Sequence, residues 1–291
     1  MRGVRLPFRL VDVFTDRALA GNQLCVFPDP ADIPADVMQA LALEIGFSET
    51  TFVTSAGGDR YSMRIFTPGG ELPFAGHPTL GTAFALASEG RVSSPVTQSV
   101  QAGEIVVAVD VEGRSARMRQ LPPTFGRIVD DGDMVARALG LTPGDLRSDV
   151  PPQAVSTGLA HLMVAANDTG AVARARPDVD RLRELLGVAE TKGCYLFAVD
   201  GARARARALF ADAGASEDAA TGSAAGPLGA YLIERGLIEE GRLVVTQGAE
   251  IGRPSTLLVD VERDDTGGGG WRIFVGGGVV VVGSGEFDLT L

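Results

Sequence analysis

Four side chains able to move or hold a proton lie close to two glycine turns. His77 follows Gly76 in Ala75-Gly-His-Pro78, Asp218 and Ser223 flank the turn at Thr221-Gly222, and Glu49 stands in Phe47-Ser-Glu-Thr-Thr-Phe-Val53. Each has an ordinary explanation by itself. Ser223 and Asp218 suit helix caps, His77 suits a helix start, and a Glu in a loop is usually solvated. Together they admit two chemistries. In one, a carboxylate removes and returns a proton at carbon while helix N-termini and His77 stabilise the developing charge. In the other, Ser223, His77 and Asp218 form a hydrolytic triad. That second reading is weakened by the Thr-Gly-Ser-Ala-Ala-Gly context, which lacks the Gly-x-Ser-x-Gly elbow that exposes such a nucleophile.

Both glycine turns come directly before apolar helices, predicted over 77–89 and 221–234. A helix N-terminus carries unpaired N–H groups and the positive end of a dipole, and two of them facing one another would hold a carboxylate or an enolate. A small anionic substrate is expected, with Gly76, Thr221, Gly222 and Ser223 binding it. Glu49 falls where a helix over 34–46, ended by Gly46, gives way to a strand over 50–54.

The other elements follow from alternating or β-branched runs. Strands are predicted over 9–14, 24–27 and 61–66, and a hairpin over 105–111 and 115–120 turns at Glu112-Gly113. A second set of strands is predicted over 154–165, 194–199, 203–210, 243–245, 255–261 and 271–275, with a helix over 177–186 and a glycine loop over 266–270. The two sets correspond at a nearly fixed spacing: 145 residues from Phe52 to Phe197, 144 from Phe66 to Phe210, and 146 from Gln101 to Gln247. A constant offset near half the chain signals duplication. The expected fold is therefore α+β, with two pseudo-symmetric domains: residues 1–120, joined by 279–291, and residues 121–278. Leu121-Pro-Pro123 would be the linker.

Composition narrows the remaining choices. The 291 residues carry a formal net charge of −11, which opposes sequence-independent binding of nucleic acid. No apolar run approaches the roughly 20 residues of a membrane span, and the N-terminus lacks a secretory h-region, so a soluble cytoplasmic protein is expected. Cys25 and Cys194 have no Cys or His at metal-ligand spacing, so neither a metal site nor a disulfide scaffold is expected. No phosphate loop occurs. Arg203, Arg205 and Arg207 alternate along a strand and read as a solvated face. His161, inside an apolar strand, reads as a hydrogen-bonded core or interface residue.

Longer motifs carry a resemblance. Ser48-Glu-Thr-Thr-Phe-Val53, Arg64-Ile-Phe-Thr-Pro68, Glu71-Leu-Pro-Phe-Ala-Gly-His-Pro78, Leu80-Gly-Thr82 and Glu217-Asp-Ala-Ala-Thr-Gly-Ser-Ala-Ala-Gly-Pro-Leu228 resemble the signatures of the PhzF-like phenazine-biosynthesis family. Asp12-Val-Phe14, Gly21-Asn22 and Glu250-Ile-Gly-Arg-Pro-Ser255 match as well, so the resemblance spans essentially the whole chain. It implies a diaminopimelate-epimerase-like fold in which two similar domains each wrap a curved, mostly antiparallel sheet around a central helix, with the active site between them. It also implies a homodimer and a cofactor-independent isomerase acting on trans-2,3-dihydro-3-hydroxyanthranilate. On that resemblance Glu49 is the catalytic proton shuttle and His77, Asp218 and Ser223 assist it. The paired thiols of the related epimerases are not matched, since neither cysteine lies in a glycine turn. Two alternatives stay open: an epimerase or isomerase of another small carboxylate, and a non-catalytic small-ligand-binding protein on the same scaffold.

Overall fold

The computed structural model describes residues 3–29, 32–211, 216–264 and 270–290. Contacts divide the chain into two units, Met1–Arg119 with Gly276–Leu291, and Gln120–Val275.

The first unit runs β1 (Gly3–Val13), β2 (Asn22–Phe27), α1 (Ala35–Ile45), β3 (Glu49–Gly57), β4 (Arg60–Thr67), β5 (Gly70–Leu72), α2 (Gly76–Ser88), β6 (Val96–Val100), β7 (Gly103–Asp110) and β8 (Ser115–Arg119). Strand β1 pairs antiparallel with β2, β2 parallel with β3, β3 antiparallel with β4, β4 antiparallel with β5 and parallel with β6, and β6 antiparallel with β7. The far end of the chain's last strand, Trp271–Thr290, pairs with the outer side of β1. Helix α1 is amphipathic and lays Met38, Leu41 and Ala42 on a cluster containing Phe27, Phe52 and Phe66. The Phe27 and Phe52 rings stack at 4.7 Å. Helix α2 has no charged residue and is buried from Gly76 to Leu86, as an all-round apolar helix must be. Strands β1, β2, β3, β6, β7 and β8 all pack against it.

The second unit contains β9 (Thr124–Ile128), α3 (Gly132–Ala138), β10 (Gln153–Ser156), β11 (Ala160–Ala165), α4 (Thr169–Arg174), α5 (Val179–Ala189), β12 (Gly193–Asp200), β13 (Arg203–Phe210), β14 (Ser216–Asp218), α6 (Gly222–Glu234), β15 (Gly241–Gln247), β16 (Ser255–Arg263) and the start of β17 (Trp271–Thr290). Its pairing repeats that of the first unit. Strand β10 is antiparallel to β11, β11 parallel to β12, β12 antiparallel to β13, β13 antiparallel to β14 and parallel to β15, and β15 antiparallel to β16. Helix α6 takes the place of α2, and α4 with α5 the place of α1. Helices α3, α4 and α5 cover one face of the sheet with Val135, Leu139, Val172, Leu182, Leu185 and Leu186. On the other side α6 is buried from Gly222 to Leu232 save Ser223. The α+β duplication expected from the residue offsets is thus visible strand by strand.

Several elements differ from expectation. The strand predicted over 154–165 is two, because Thr157-Gly-Leu159 turns the chain back and pairs Ser156 with Ala160. An unbroken apolar run conceals that turn. Helices α3 and α4 are short and had no predicted counterpart, and β17 runs on to Thr290, its second half paired antiparallel with β1 from Val279 to Thr290. The three arginines of β13 do not form a solvated face. Arg207 is 5% exposed and bonds both carboxylate oxygens of Glu217 and the carbonyls of Val172 and Ala175. Arg205 pairs with Glu250, and only Arg203 is exposed. A buried guanidinium must be paired and hydrogen-bonded on several sides, and Arg207 braces β14, the strand that carries Asp218. The loop predicted over 266–270 lies, apart from Gly270, outside the described residues. Among the described residues no helix is long and apolar enough to cross a membrane.

Candidate active site

In the first unit the site residues converge from three elements. Gly46 ends α1 in the left-handed conformation, and three residues later Glu49 opens β3. Gly76 and His77 begin α2, whose cap residue Ala75 has no side chain with which to bond the helix. Asn22 opens β2 directly after Gly21, at φ +71°, where a Cβ would lie 2.3 Å from the Val13 carbonyl oxygen. Only glycine fits that turn.

Glu49 Oε2 lies 3.5 Å from His77 Nε2, with the Glu side chain 17% and the His side chain 5% exposed. Asn22, itself buried, donates its amide N–H to His77 Nδ1 at 3.2 Å. An amide nitrogen only donates, so Nδ1 accepts and the proton of the neutral ring sits on Nε2, toward Glu49. Ser48 Oγ lies 3.4 Å from the Asn22 amide oxygen. Glu49 Oε2 is buried and makes no hydrogen bond. Burial therefore pushes the Glu49 carboxyl above the usual carboxylate range, and a bond from Ser48 opposes it only in part. A carboxyl group raised in this way holds a proton more readily than an ordinary one, as a group that must both take and return a proton requires.

In the second unit a directed chain of hydrogen bonds ends on Asp218. The buried Tyr195 hydroxyl donates to Gln247 Oε1 at 2.9 Å, Gln247 Nε2 donates to Thr221 Oγ1 at 3.1 Å, and Thr221 Oγ1 donates to Asp218 Oδ2 at 2.7 Å. Gln247 also bonds the Asp218 carbonyl and the Thr221 N–H, so a single buried amide fixes the whole turn before α6. Because the Thr221 hydroxyl serves Asp218, it does not cap α6, and the helix starts at Gly222 and Ser223 without a side-chain cap. Gln120 Nε2 holds the Gly222 carbonyl at 2.9 Å. Ser223 Oγ lies 3.0 Å from Nε2 of the buried His161, whose place as a hydrogen-bonded core residue was expected from its strand.

Glu49, Gly76 and His77 thus meet in the first unit, and Asp218, Thr221, Gly222 and Ser223 in the second. The imidazole bonded to Ser223 is that of His161, and the Thr221 hydroxyl donates to the Asp218 carboxylate. Sequence reasoning passed over Asn22, Tyr195 and Gln247 as site residues. Asn22 lies in the quoted Gly21-Asn22 pair and Gln247 at one end of a repeat offset, and an uncharged amide at such a position was the available signal. Both cysteines are buried, with their thiols pushed up to about 12 by desolvation, the reverse of an activated thiolate.

Comparison with known proteins agrees with the motifs. The family model described as phenazine biosynthesis-like protein, PhzC-PhzF, matches residues 11–285. The chain is 38% identical to the trans-2,3-dihydro-3-hydroxyanthranilate isomerase of Pseudomonas fluorescens over 87% of this chain and 89% of that protein. The crystal structure of a PhzF-family phenazine biosynthesis protein from Bacillus anthracis superposes with a TM-score of 0.86 at 28% identity, covering 99% of this chain and 100% of that one. A probable proline racemase from Agrobacterium radiobacter shares the fold, with a TM-score of 0.65 at 14% identity over 98% of this chain and 93% of that one. With the whole-chain motifs, the duplicated α+β fold and these matches in agreement, the chain belongs to the PhzC-PhzF family of phenazine biosynthesis-like proteins and is an isomerase of that type.

Proposed function

We propose that this isomerase moves one proton between two carbons of a small cyclic carboxylate of the trans-2,3-dihydro-3-hydroxyanthranilate type, with Glu49 as the shuttle. The observation that carries the reading is the Glu49 carboxyl: buried, lacking a hydrogen bond on Oε2, raised in pKa, and 3.5 Å from the His77 ring nitrogen that bears a proton. As carboxylate, Glu49 takes the proton from C3; the C–H electron pair enters the conjugated diene, and the same carboxyl returns the proton to C1 on the same ring face. The product has the formula of the substrate, so no oxidant, reductant or added group is needed. The Nε2–H of His77 steadies Glu49 as it cycles between charged and neutral forms. Asp218, held by Thr221, takes the substrate's hydroxyl or amine. Ser223 and the uncapped N–H groups at Gly76 and Gly222 take its carboxylate, a use that helix N-termini favour. With a net charge of −11 on the chain, attraction of an anion must come from such local dipoles.

The test is turnover. Purified protein mixed with trans-2,3-dihydro-3-hydroxyanthranilate is expected to shift the ring-proton NMR signals to those of the isomer without added cofactor. Absence of turnover by folded protein would reject this substrate and leave another small cyclic carboxylate to be sought.

A further inference from the structure

The second of the chain's two histidines has no part in the reading above, yet it touches one of its residues. His161 is 1% exposed, with Nε2 3.0 Å from Ser223 Oγ. Its ring is held in place by packing: the Phe210 ring meets it edge-on at 6.1 Å. Gly193 lies beside both rings and makes room for them, since a Cβ there would lie 2.7 Å from Phe210 Cε1 and 3.2 Å from His161 Nδ1. The first unit has a matching device. Asn22, at the head of β2, bonds His77, the second residue of α2. His161, at the head of β11, bonds Ser223, the second residue of α6. In each unit a side chain from the equivalent strand fixes the side chain at the same place on the central helix.

Resting on the reading of Ser223 as a ligand for the substrate's carboxylate, we propose that His161 is a positioning residue that donates its Nε2–H to Ser223 Oγ and thereby turns the serine proton toward that carboxylate. A hydroxyl has one proton and two acceptor sites. Were Nε2 the acceptor, the serine proton would point into the protein and its lone pairs would face an anion. With Nε2 as donor the serine proton is free to bind. Burial lowers the His161 pKa to about 4, so near neutral pH the ring is neutral and has a single N–H to place.

The test combines a tautomer with a double-mutant cycle, using anthranilate as a planar carboxylate probe. In wild-type protein labelled with 15N-histidine and saturated with anthranilate, two-bond proton–nitrogen correlations are expected to show His161 as the Nε2–H tautomer; the Nδ1–H tautomer overturns the proposal, whether or not any variant folds. Loss of one charge-assisted bond is expected to weaken anthranilate binding about tenfold in Ser223→Ala and by a similar factor in His161→Phe. His161→Gln, which restores a donor, should stay near wild type. The double variant His161→Phe/Ser223→Ala should bind no more weakly than Ser223→Ala alone, because a histidine that acts through the serine has nothing to act on once it is gone. Equal losses from His161→Phe in both backgrounds contradict the proposal. If Ser223→Ala weakens binding and a folded His161→Phe does not, the His161 role alone fails. If Ser223→Ala binds like wild type, the carboxylate role of Ser223 fails first and the His161 role falls with it.

Discussion

Replacing His161 with Gln removes a group that burial prevents from taking a proton, and its effect on stability can be worked out in advance. In the unfolded chain a histidine titrates near 6.5; in the fold His161 is lowered to about 4 by desolvation. Between those values the unfolded state holds the extra proton, so wild-type stability is lost as pH falls from about 6.5 toward 4. At roughly 1.4 kcal/mol per unit the full loss is about 3 kcal/mol, and at pH 5 it is about 2 kcal/mol. The glutamine variant has no such group, and its stability relative to wild type should rise by these amounts as the solution is acidified from pH 7.5. The chain's single tryptophan, Trp271, stands in the same unit as His161, with the Arg263 guanidinium 5.3 Å from its ring centre. Its fluorescence therefore follows unfolding of the unit concerned. With an m-value of about 2 kcal/mol/M, urea midpoints of wild type and His161→Gln should move apart by about 1 M between pH 7.5 and pH 5. A separation that stays constant over that range would show that His161 takes a proton as readily in the fold as out of it, and the argument for a neutral, buried ring would fall.

Three further outcomes are expected. Glu49→Gln should stabilise the protein at neutral pH. The Glu49 pKa is raised, so wild-type stability is intact below the unfolded value near 4.3 and declines as pH rises toward the folded one, by up to about 1.4 kcal/mol per unit. Urea titrations at pH 4, 6 and 8 test the sign, and a variant that is less stable than wild type at pH 8 refutes it. Asn22→Ala orphans the His77 Nδ1 acceptor and is expected to cost about 1–3 kcal/mol, read as a lowered Tm, with a larger loss of turnover than a distant core change of equal cost. Native protein at pH 8 should resist iodoacetamide at both Cys25 and Cys194, and the double variant Cys25→Ala/Cys194→Ala should keep its turnover; rapid alkylation or lost turnover with the fold intact would point back to a thiol mechanism.

What could be read from the sequence was governed by how local each signal is. Residue offsets of 144 to 146 exposed the duplication because equivalent Phe residues occupy equivalent strands and Gln101 follows β6 where Gln247 ends β15, and the uncharged stretches after Gly76 and Gly222 marked two central helices. Three-residue strands such as β5 and β14 left no pattern of period two to detect. Arg207 was misread because alternation tells which residues share a face of β13, whereas only the packing of α4 above it and of Glu217 beside it makes that face buried. Glu49 and His77 were singled out by type, but their approach to 3.5 Å depends on the parallel pairing of β2 with β3 and the packing of α2 against both, which are contacts between distant parts of the chain. The Tyr195–Gln247–Thr221–Asp218 chain was illegible for the same reason. Its members come from β12, β14, β15 and the turn before α6, and nothing in an isolated Gln identifies it as the centre of a buried network.

The role of Glu49 as the proton shuttle is tested most directly by following trans-2,3-dihydro-3-hydroxyanthranilate in deuterated water by NMR with wild type and with Glu49→Gln. Wild type should convert it to the isomer in which the C3 proton has gone and C1 has gained one hydrogen or deuterium. Glu49→Gln should still bind the substrate but lose roughly 10²–10⁴-fold in rate, the usual share of a general acid–base group. Undiminished conversion by Glu49→Gln would contradict the account and remove Glu49 from the reaction.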